Sequence, residues 1–381
     1  MNRLCRQPLT IRRKECKVGK KKLFWYVAIL MVGVFFFSGL ALAQEKKKED
    51  PLAKWKPAFD PSGAKYKIIV SNVSHPILKG TFAGFALRDE LWKRTNGQIF
   101  IDYKPLSILG GEVEVLNQLQ MGAVQGMLVS SVASTNLGPR FGLVNLPFLI
   151  DSFDKLDKFV ASGKLLDHFL MAMDHQGIMA FDITTYGNYG WASTVPIKTV
   201  SDLPKAKIRI AESAVNKLSY EAWGINPIVM PWPETDIALK QGVITGLDHT
   251  LIVCRVQNKF EVCKYFTQIN YAQGLFIVLF NKAWFKSLPA DLQKTLTETI
   301  HDVCKQNRVE GKAQEDLEYT NAKAMGVEFF KLSDADMATL RKKSQPVHDK
   351  FADDVNKLYP GDTYKPANYL KEVYDLMGYK P

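Results

Sequence analysis

IKTVSDLPKAKIRI, residues Ile197–Ile210, is the stretch from which the rest of the chain can be read. Asp202 and Leu203 lie between Ser201 and Pro204, which predicts a tight turn. Lys207-Ile208-Arg209-Ile210 then alternates charged and branched apolar residues, the period-two pattern of a half-buried strand. Arg209 is thereby fixed on a rigid element, with isoleucines facing the other way. A planar guanidinium in that setting suits bidentate capture of a carboxylate. The competing reading of the same segment is a surface arginine on an edge strand.

Working outward, strands and helices alternate. Tyr66–Ser71 reads as a strand, followed by the Asn72–Pro76 loop and a helix over Leu78–Thr95. Asn96-Gly97 turns the chain into a strand over Gln98–Tyr103. LSILGG, Leu106–Gly111, leads into a helix over Glu112–Met121, and a glycine-framed turn opens a short strand, Met127–Val129, ending in Ser130 and Ser131. This order gives an α/β fold with a mostly parallel sheet. Helices over Phe153–Phe159 and Lys164–Gln176 precede a strand at Ile178–Thr185.

A second α/β unit begins near Tyr189. It continues past the Arg209 strand through a helix over Ala214–Trp223, a strand at Asn226–Met230, and a helix started by Pro231–Glu234. Gln241–Asp248 repeats the logic of Met121–Gly126: helix end, glycine turn, apolar strand. Gly274–Asn281 reads as a fully buried strand. From Leu288-Pro289 a long helix runs to about Met325, with Leu292, Leu296, Ile300 and Val303 on one face. Gly326–Phe330 is the last strand, and Ser333–Asp336 has the form of a capped helix start.

The chain's 381 residues suffice for two ordinary domains. A hydrophobic content of 46% with 23% charged residues is that of a globular protein. The net charge of +11 is unevenly placed. Residues 1–43 hold nine Lys and Arg against Glu15 alone, which accounts for eight of those charges and leaves +3 for the remainder. A nucleic-acid partner therefore has little support from the basic composition.

The basic run precedes LFWYVAILMVGVFFF, Leu23–Phe37, and an Ala-x-Ala end, the pattern of a secretory signal peptide cleaved after Ala43. An uncleaved anchor is the alternative, since Leu23–Ala43 is long enough to span a bilayer. Residues 44–65 read as a loose leader. Cys254 and Cys263 can close a short disulfide loop, leaving Cys304 free on a helix. Metal-ligand spacing is absent; His168 and His175 lie seven apart with no third ligand nearby, so neither metal nor cofactor is expected.

The order of short motifs resembles the C4-dicarboxylate-type (DctP-type) solute receptors of tripartite ATP-independent periplasmic (TRAP) transporters. It runs from His75-Pro76 through Leu109-Gly110-Gly111 before Glu112, then Gly122 and Leu146-Pro147-Phe148-Leu149. Pro196-Ile197-Lys198 to Lys207-Ile208-Arg209 follows, then ALKQGVI at Ala238–Ile244, Phe285, Leu288-Pro289 and Asp291-Leu292-Gln293. The resemblance spans about Tyr66 to Val355. It implies a two-domain periplasmic binding protein of type II-like α/β fold, with hinge strands and a bridging helix at about 290–325. The implied division is 66–187 with 276–312 for the first domain and 188–275 with 313–360 for the second, leaving 361–381 as a C-terminal extension.

The same resemblance implies that Arg209 pairs with the ligand carboxylate and that Trp232 closes an apolar wall. Ser130 and Ser131 would face the cleft from the first domain, and His75 joins the candidate contacts. Two departures matter. Where many members carry a second arginine, this chain reads Tyr186-Gly187-Asn188-Tyr189-Gly190-Trp191, and His249 stands where an asparagine is common.

Tyr186, Tyr189, Trp191 and Trp232 suggest a monocarboxylate with an aromatic or apolar body, the alternative being that they are core residues, and Asn188 and His249 join the candidate contacts. The implied role is that of a periplasmic receptor, monomeric or dimeric. It would deliver a small organic acid to the small and large subunits of a TRAP permease for ion-gradient-driven uptake. A ligand sensor partnering a kinase is the alternative. An enzyme is disfavoured: there is no Gly-x-Ser-x-Gly and no P-loop, and His249 beside Asp248 is the one candidate base.

Overall fold

Nine strands build one mixed sheet in the computed structural model, which describes residues 50–381: β1 (Tyr66–Ser71), β2 (Ile99–Lys104), β3 (Gly126–Ser130), β4 (Ile178–Ser193), β5 (Ile208–Ile210), β6 (Ile228–Val229), β7 (Gly246–Thr250), β8 (Tyr265–Asn281) and β9 (Glu328–Lys331). The expected signal peptide and its cleavage site lie outside the described residues. Residues 50–58 belong to a unit separate from Phe59–Pro381, with a 3-10 turn at Ala53–Trp55 that buries no side chain. Within the second unit, Phe59 stacks on Trp92 at 4.5 Å, so the loose leader ends earlier than expected.

The sheet order is β2-β1-β3-β8-β4-β7-β5-β6, with β9 added beside β8. β1 pairs in parallel with β2 and β3, and β5 in parallel with β6 and β7. Between these two parallel groups run β4 and β8, antiparallel to each other. With 16 and 17 residues they extend roughly 50 Å. One end of β8, Phe276–Phe280, pairs β3, and the other, Tyr265–Gln268, pairs β9. In β4, Tyr189–Ser193 pairs β7.

Sequence patterning predicts only one end of each of these strands, Ile178–Thr185 and Gly274–Asn281. The structure continues β4 past Thr185 through Gly187 and Gly190, with irregularities inside one strand. The register shifts between Thr185 and Asn188 and again before Gly190, and Gly187 has φ +101°, where a side chain would be strained. β4 and β8 thus carry the chain from one lobe into the other.

The long helix, Ala290–Ala324, is within one residue of its expected ends and is roughly 50 Å in length. It braces both lobes. On the first, Arg94 pairs with Asp302 at 2.7 Å, and Gln314 bonds the backbone at Ile77 and Lys79. Near the crossing, Asn307 accepts from the Thr185 N–H and Glu315 from Asn188. On the second lobe, Arg255 pairs with Glu318 at 2.6 Å. Gly311 lets helix and strand approach closely, since a Cβ there would meet the Thr185 methyl at 2.8 Å.

Each lobe has its own apolar cluster. The larger includes Leu116, Val129, Phe141, Phe169 and Ile277; the smaller includes Leu239, Leu247, Cys254 and Phe266. Val347 and Val355, placed with the second domain on sequence grounds, pack into the first cluster, as do Tyr369, Leu370 and Val373 of the C-terminal helix Tyr369–Met377. The residues beyond 360 are therefore part of a core rather than an appendage. The Ser333 hydroxyl caps the helix Asp334–Asn356 by accepting from the Asp336 N–H, as expected. Cys254 and Cys263 are free buried thiols, as is Cys304, so the short disulfide loop is not formed.

Candidate functional site

Arg209 sits on β5 with β7 on one side and β6 on the other. The strand is buried throughout, and Arg209 itself is 3% exposed. This disposes of the surface-arginine reading and corrects the half-buried one: the sheet is covered on both faces. The turn before it is a 3-10 helix, Val200–Lys205, closed by a reciprocal cap between Thr199 and Asp202. Arg209 Nε and Nη2 both donate to the Met230 carbonyl, at 3.0 and 2.7 Å. That fork fixes the guanidinium plane and leaves Nη1 without an acceptor among the described residues. Burial lowers the pKa of the group, opposed by Tyr189, Asp248 and Glu112.

The guanidinium carbon lies 5.5 Å from the ring centroid of Trp232. Trp232 is held by its Nε1–H donating to Gln257 at 3.0 Å and by Lys259 Nζ at 4.5 Å from the ring. Lys259 is buried and paired with Asp236. His249 packs on Trp232 at 4.6 Å. Its Nδ1 accepts from the Thr250 N–H at 2.9 Å, so in the neutral ring Nε2 carries the proton. Burial, then Arg209 and Lys259, push its pKa well below the usual value. At neutral pH the imidazole is an uncharged donor.

Carboxyl groups complete the cleft. Glu112 opens the helix Glu112–Gln120, and its carboxylate accepts from Ser130 N–H and Oγ at 2.6 and 2.7 Å. Asp248 Oδ2 accepts from the Tyr271 hydroxyl at 2.7 Å, and Asn216 Nδ2 donates to that same hydroxyl at 3.2 Å. Asp248 Oδ1 and Asn216 Oδ1 are buried without a partner. Burial raises the Asp248 pKa to about 6 and raises that of Glu112 as well. Tyr186 and Tyr189 share a hydroxyl–hydroxyl bond of 3.0 Å at the cleft wall. The space enclosed is about 30 Å³, room for a water or two. An organic acid enters only if the lobes part or side chains withdraw.

The raised Asp248 pKa has a consequence for stability. A carboxyl whose folded pKa lies above its unfolded value holds its proton longer when folded. The native state is therefore progressively disfavoured as pH rises from about 4 to about 6, and the loss stays constant above that. Asp248→Asn is expected to stabilise the empty protein at pH 7 by on the order of 2 kcal/mol. The advantage should vanish near pH 4. Urea unfolding at the two pH values checks this, and an equal effect at both would refute it.

Of the residues singled out from sequence, the structure brings Ser130, Tyr186, Tyr189, Arg209, Trp232 and His249 to the cleft. The other four lie elsewhere. Trp191 is wholly buried in the core, donating to the Tyr220 hydroxyl at 2.8 Å. Ser131 Oγ donates to Asn145 behind the strand end. Asn188 turns to Glu315 of the long helix. His75 accepts from the Ile77 N–H in its own loop, while its neighbours Val73 and Ser74 line the cleft. Ser131 opens the short helix Ser131–Ser134 beyond the strand end, and Trp191, further along β4, packs in the core against Trp223 and Tyr220. Sequence reasoning did not select Glu112, Asn216, Asp248 or Phe276 as site residues. Gly110-Gly111 ahead of an acidic helix start was the available signal for Glu112.

A cleft at the crossing of two lobes, joined by long strands and braced by one helix, is the geometry of a solute receptor. The model of bacterial extracellular solute-binding protein family 7, DctP, matches residues 70–354. The chain belongs to this family. The C4-dicarboxylate-binding periplasmic protein DctP of Rhodobacter capsulatus is 29% identical over 291 residues, covering 75% of this chain and 87% of that one.

Among solved structures, a TRAP periplasmic solute binding protein from Desulfovibrio salexigens with bound orotic acid superposes with TM-score 0.74. It is 22% identical and covers 82% of this chain and 98% of its own. One from Shewanella oneidensis with bound succinate gives TM-score 0.74 at 23% identity, over 83% and 100%. The fold is that of the two-domain TRAP receptors, and this member of the DctP family is an extracytoplasmic solute receptor for TRAP transport. Among the described residues, no helix is long and apolar enough to cross a membrane.

Proposed function

We infer that this receptor closes on a small monocarboxylate, holds its carboxylate on Arg209, and delivers it to the small and large membrane subunits of a TRAP permease without transforming it. The observation that carries this reading is the Arg209 fork. Two of its N–H groups are spent on the Met230 carbonyl, which orients the remaining ones at the cleft. Among the described residues lining the cleft, Arg209 is the only Lys or Arg, which favours one carboxylate over two. Tyr186, Tyr189, Trp232 and Phe276 supply aromatic walls for the rest of the molecule. Solved structures of the same fold hold carboxylic acids, succinate and orotic acid among them, which supports a carboxylate ligand; the choice of one carboxylate over two rests on Arg209 alone. Export through the signal at residues 1–43 and a hinge formed where β4 and β8 cross between the lobes complete the proposal.

A thermal-shift screen of the protein from Gln44 onward tests it. Monocarboxylates are expected to raise the melting temperature by mass action, while the matching neutral amides do not. Shifts from the neutral compounds alone would remove Arg209 from the site and leave the fold untouched.

A further inference from the structure

The charges around the cleft do not balance. Among the described residues, Arg209 is the one permanent cation lining it, and His249 is neutral there. Lys259, against the Trp232 ring, is already paired with Asp236. Opposed to this single positive charge are the lining carboxyls of Glu112 and Asp248, with Glu212 close enough to influence both Glu112 and Arg209. A receptor tuned to a bare anion would be expected to carry the opposite surplus. A simple carboxylate entering this cleft neutralises Arg209 and leaves the buried acids uncompensated.

The two acids differ in what they lack. Both Glu112 oxygens are engaged by Ser130. Asp248 spends one oxygen on Tyr271, and its other, Oδ1, is buried without a well-formed hydrogen bond, although the Tyr220 hydroxyl and the Asn216 amide lie close enough to lower its pKa. Asn216, linked through the same tyrosine hydroxyl, also has an unpartnered buried oxygen. Two acceptors on one patch of the cleft wall are thus waiting for donors, and an unmet buried acceptor is costly. The walls around them are aromatic: Tyr189 and Tyr186 line the same space. Carboxylate, amide oxygen and ring faces together suit a cation that carries N–H groups.

We propose that the ligand is an ammonium carboxylate, its carboxylate on Arg209 and its N–H donors on Asp248 Oδ1 and Asn216 Oδ1. The proposal rests on the carboxylate reading of Arg209 and adds the second pole. It separates three chemistries that share a carboxylate. An amino acid supplies both charge and donors, a 2-hydroxy acid supplies one donor without charge, and a quaternary betaine supplies charge without donors.

The test is calorimetric titration of the wild-type protein with matched sets: amino acids, the 2-hydroxy acids of the same skeleton, the unsubstituted acids, and the N-trimethyl forms. The amino acid of the fitting skeleton is expected to bind at least about tenfold tighter than each counterpart. Asp248→Asn and Asn216→Leu should each narrow that preference by about tenfold or more, with folding verified by thermal melts. A hydroxy acid or plain acid binding as well as its amino counterpart overturns the second pole and leaves Arg209 in place. The N-trimethyl form binding as tightly as the amino acid overturns the donor role of the two oxygens. Failure of every carboxylate, in a protein that melts cooperatively, overturns this proposal together with the acid-receptor reading beneath it.

Discussion

Arg209→Ala is expected to abolish measurable ligand binding while leaving the empty receptor folded. The guanidinium is 3% exposed, and burial lowers its pKa, so the folded protein already bears the cost of holding this charge. That cost is offset only in part by two bonds to one carbonyl. A carboxylate arriving at the remaining N–H groups in a closed, water-poor cleft gains the strong form of the interaction. Truncating one partner of such a pair costs about 2–5 kcal/mol, or roughly 30- to several-thousand-fold in affinity. The Met230 carbonyl loses its donors at the same time, but the residue is half-buried and directly follows the edge strand β6, within reach of solvent.

Arg209→Lys sharpens the expectation. An ammonium retains the charge but cannot serve Met230 and the ligand in one plane, so most of the affinity should still be lost. Titration of both variants against the wild-type ligand decides the matter. Lysine binding like arginine would mean that charge alone acts, and alanine binding like wild type would place the carboxylate elsewhere.

What was legible in the sequence divides along physical lines. Elements whose signal is local were found almost residue by residue. The long helix follows its leucine and isoleucine spacing to within a residue at each end, and Ser333 caps where a serine before acidic residues should. β4 and β8 were seen only in part, because each crosses between lobes through residues whose surroundings change along the strand. Gly187 in β4 is a bulge made legible only by Glu315 and Ile252 packed against it from other elements. The site was half legible for the same reason. Arg209 and Trp232 announce themselves by residue type, whereas Asp248 and Asn216 become a pair only through Tyr271, more than twenty residues from either. The C-terminal segment carried no motif, and its role follows from a partner more than two hundred residues earlier.

That partner supplies the second large effect. Arg140 and Asp362 form an ion pair at 2.7 Å with side chains 0% and 1% exposed. Arg140 Nη1 also donates to the His168 carbonyl at 2.7 Å, and Nη2 to the Lys357 carbonyl. Burial pushes the Asp362 carboxyl up, but the Arg140 bonds and the Tyr359 N–H outweigh it, and its pKa ends below the ordinary value. Removing one member of a buried pair leaves the other charged and unpaired, at a cost of about 3–5 kcal/mol, while replacing both with apolar residues is close to neutral. Asp362→Asn and Arg140→Met are each expected to lower urea-unfolding stability by that amount at pH 7, and the double variant Arg140→Met, Asp362→Leu by much less than their sum.

The sign with pH follows from the lowered pKa. Asp362 contributes stability above its unfolded value near 4 and loses it as pH falls through the folded value, so Asp362→Asn and wild type should converge in acid. Neither residue lines the cleft, so ligand affinity should be unchanged in any variant that folds. Single variants within about 1 kcal/mol of wild type would mean that the pair is solvated, in which case Tyr369, Leu370 and Val373 hold the C-terminal helix to the first core by apolar contact alone.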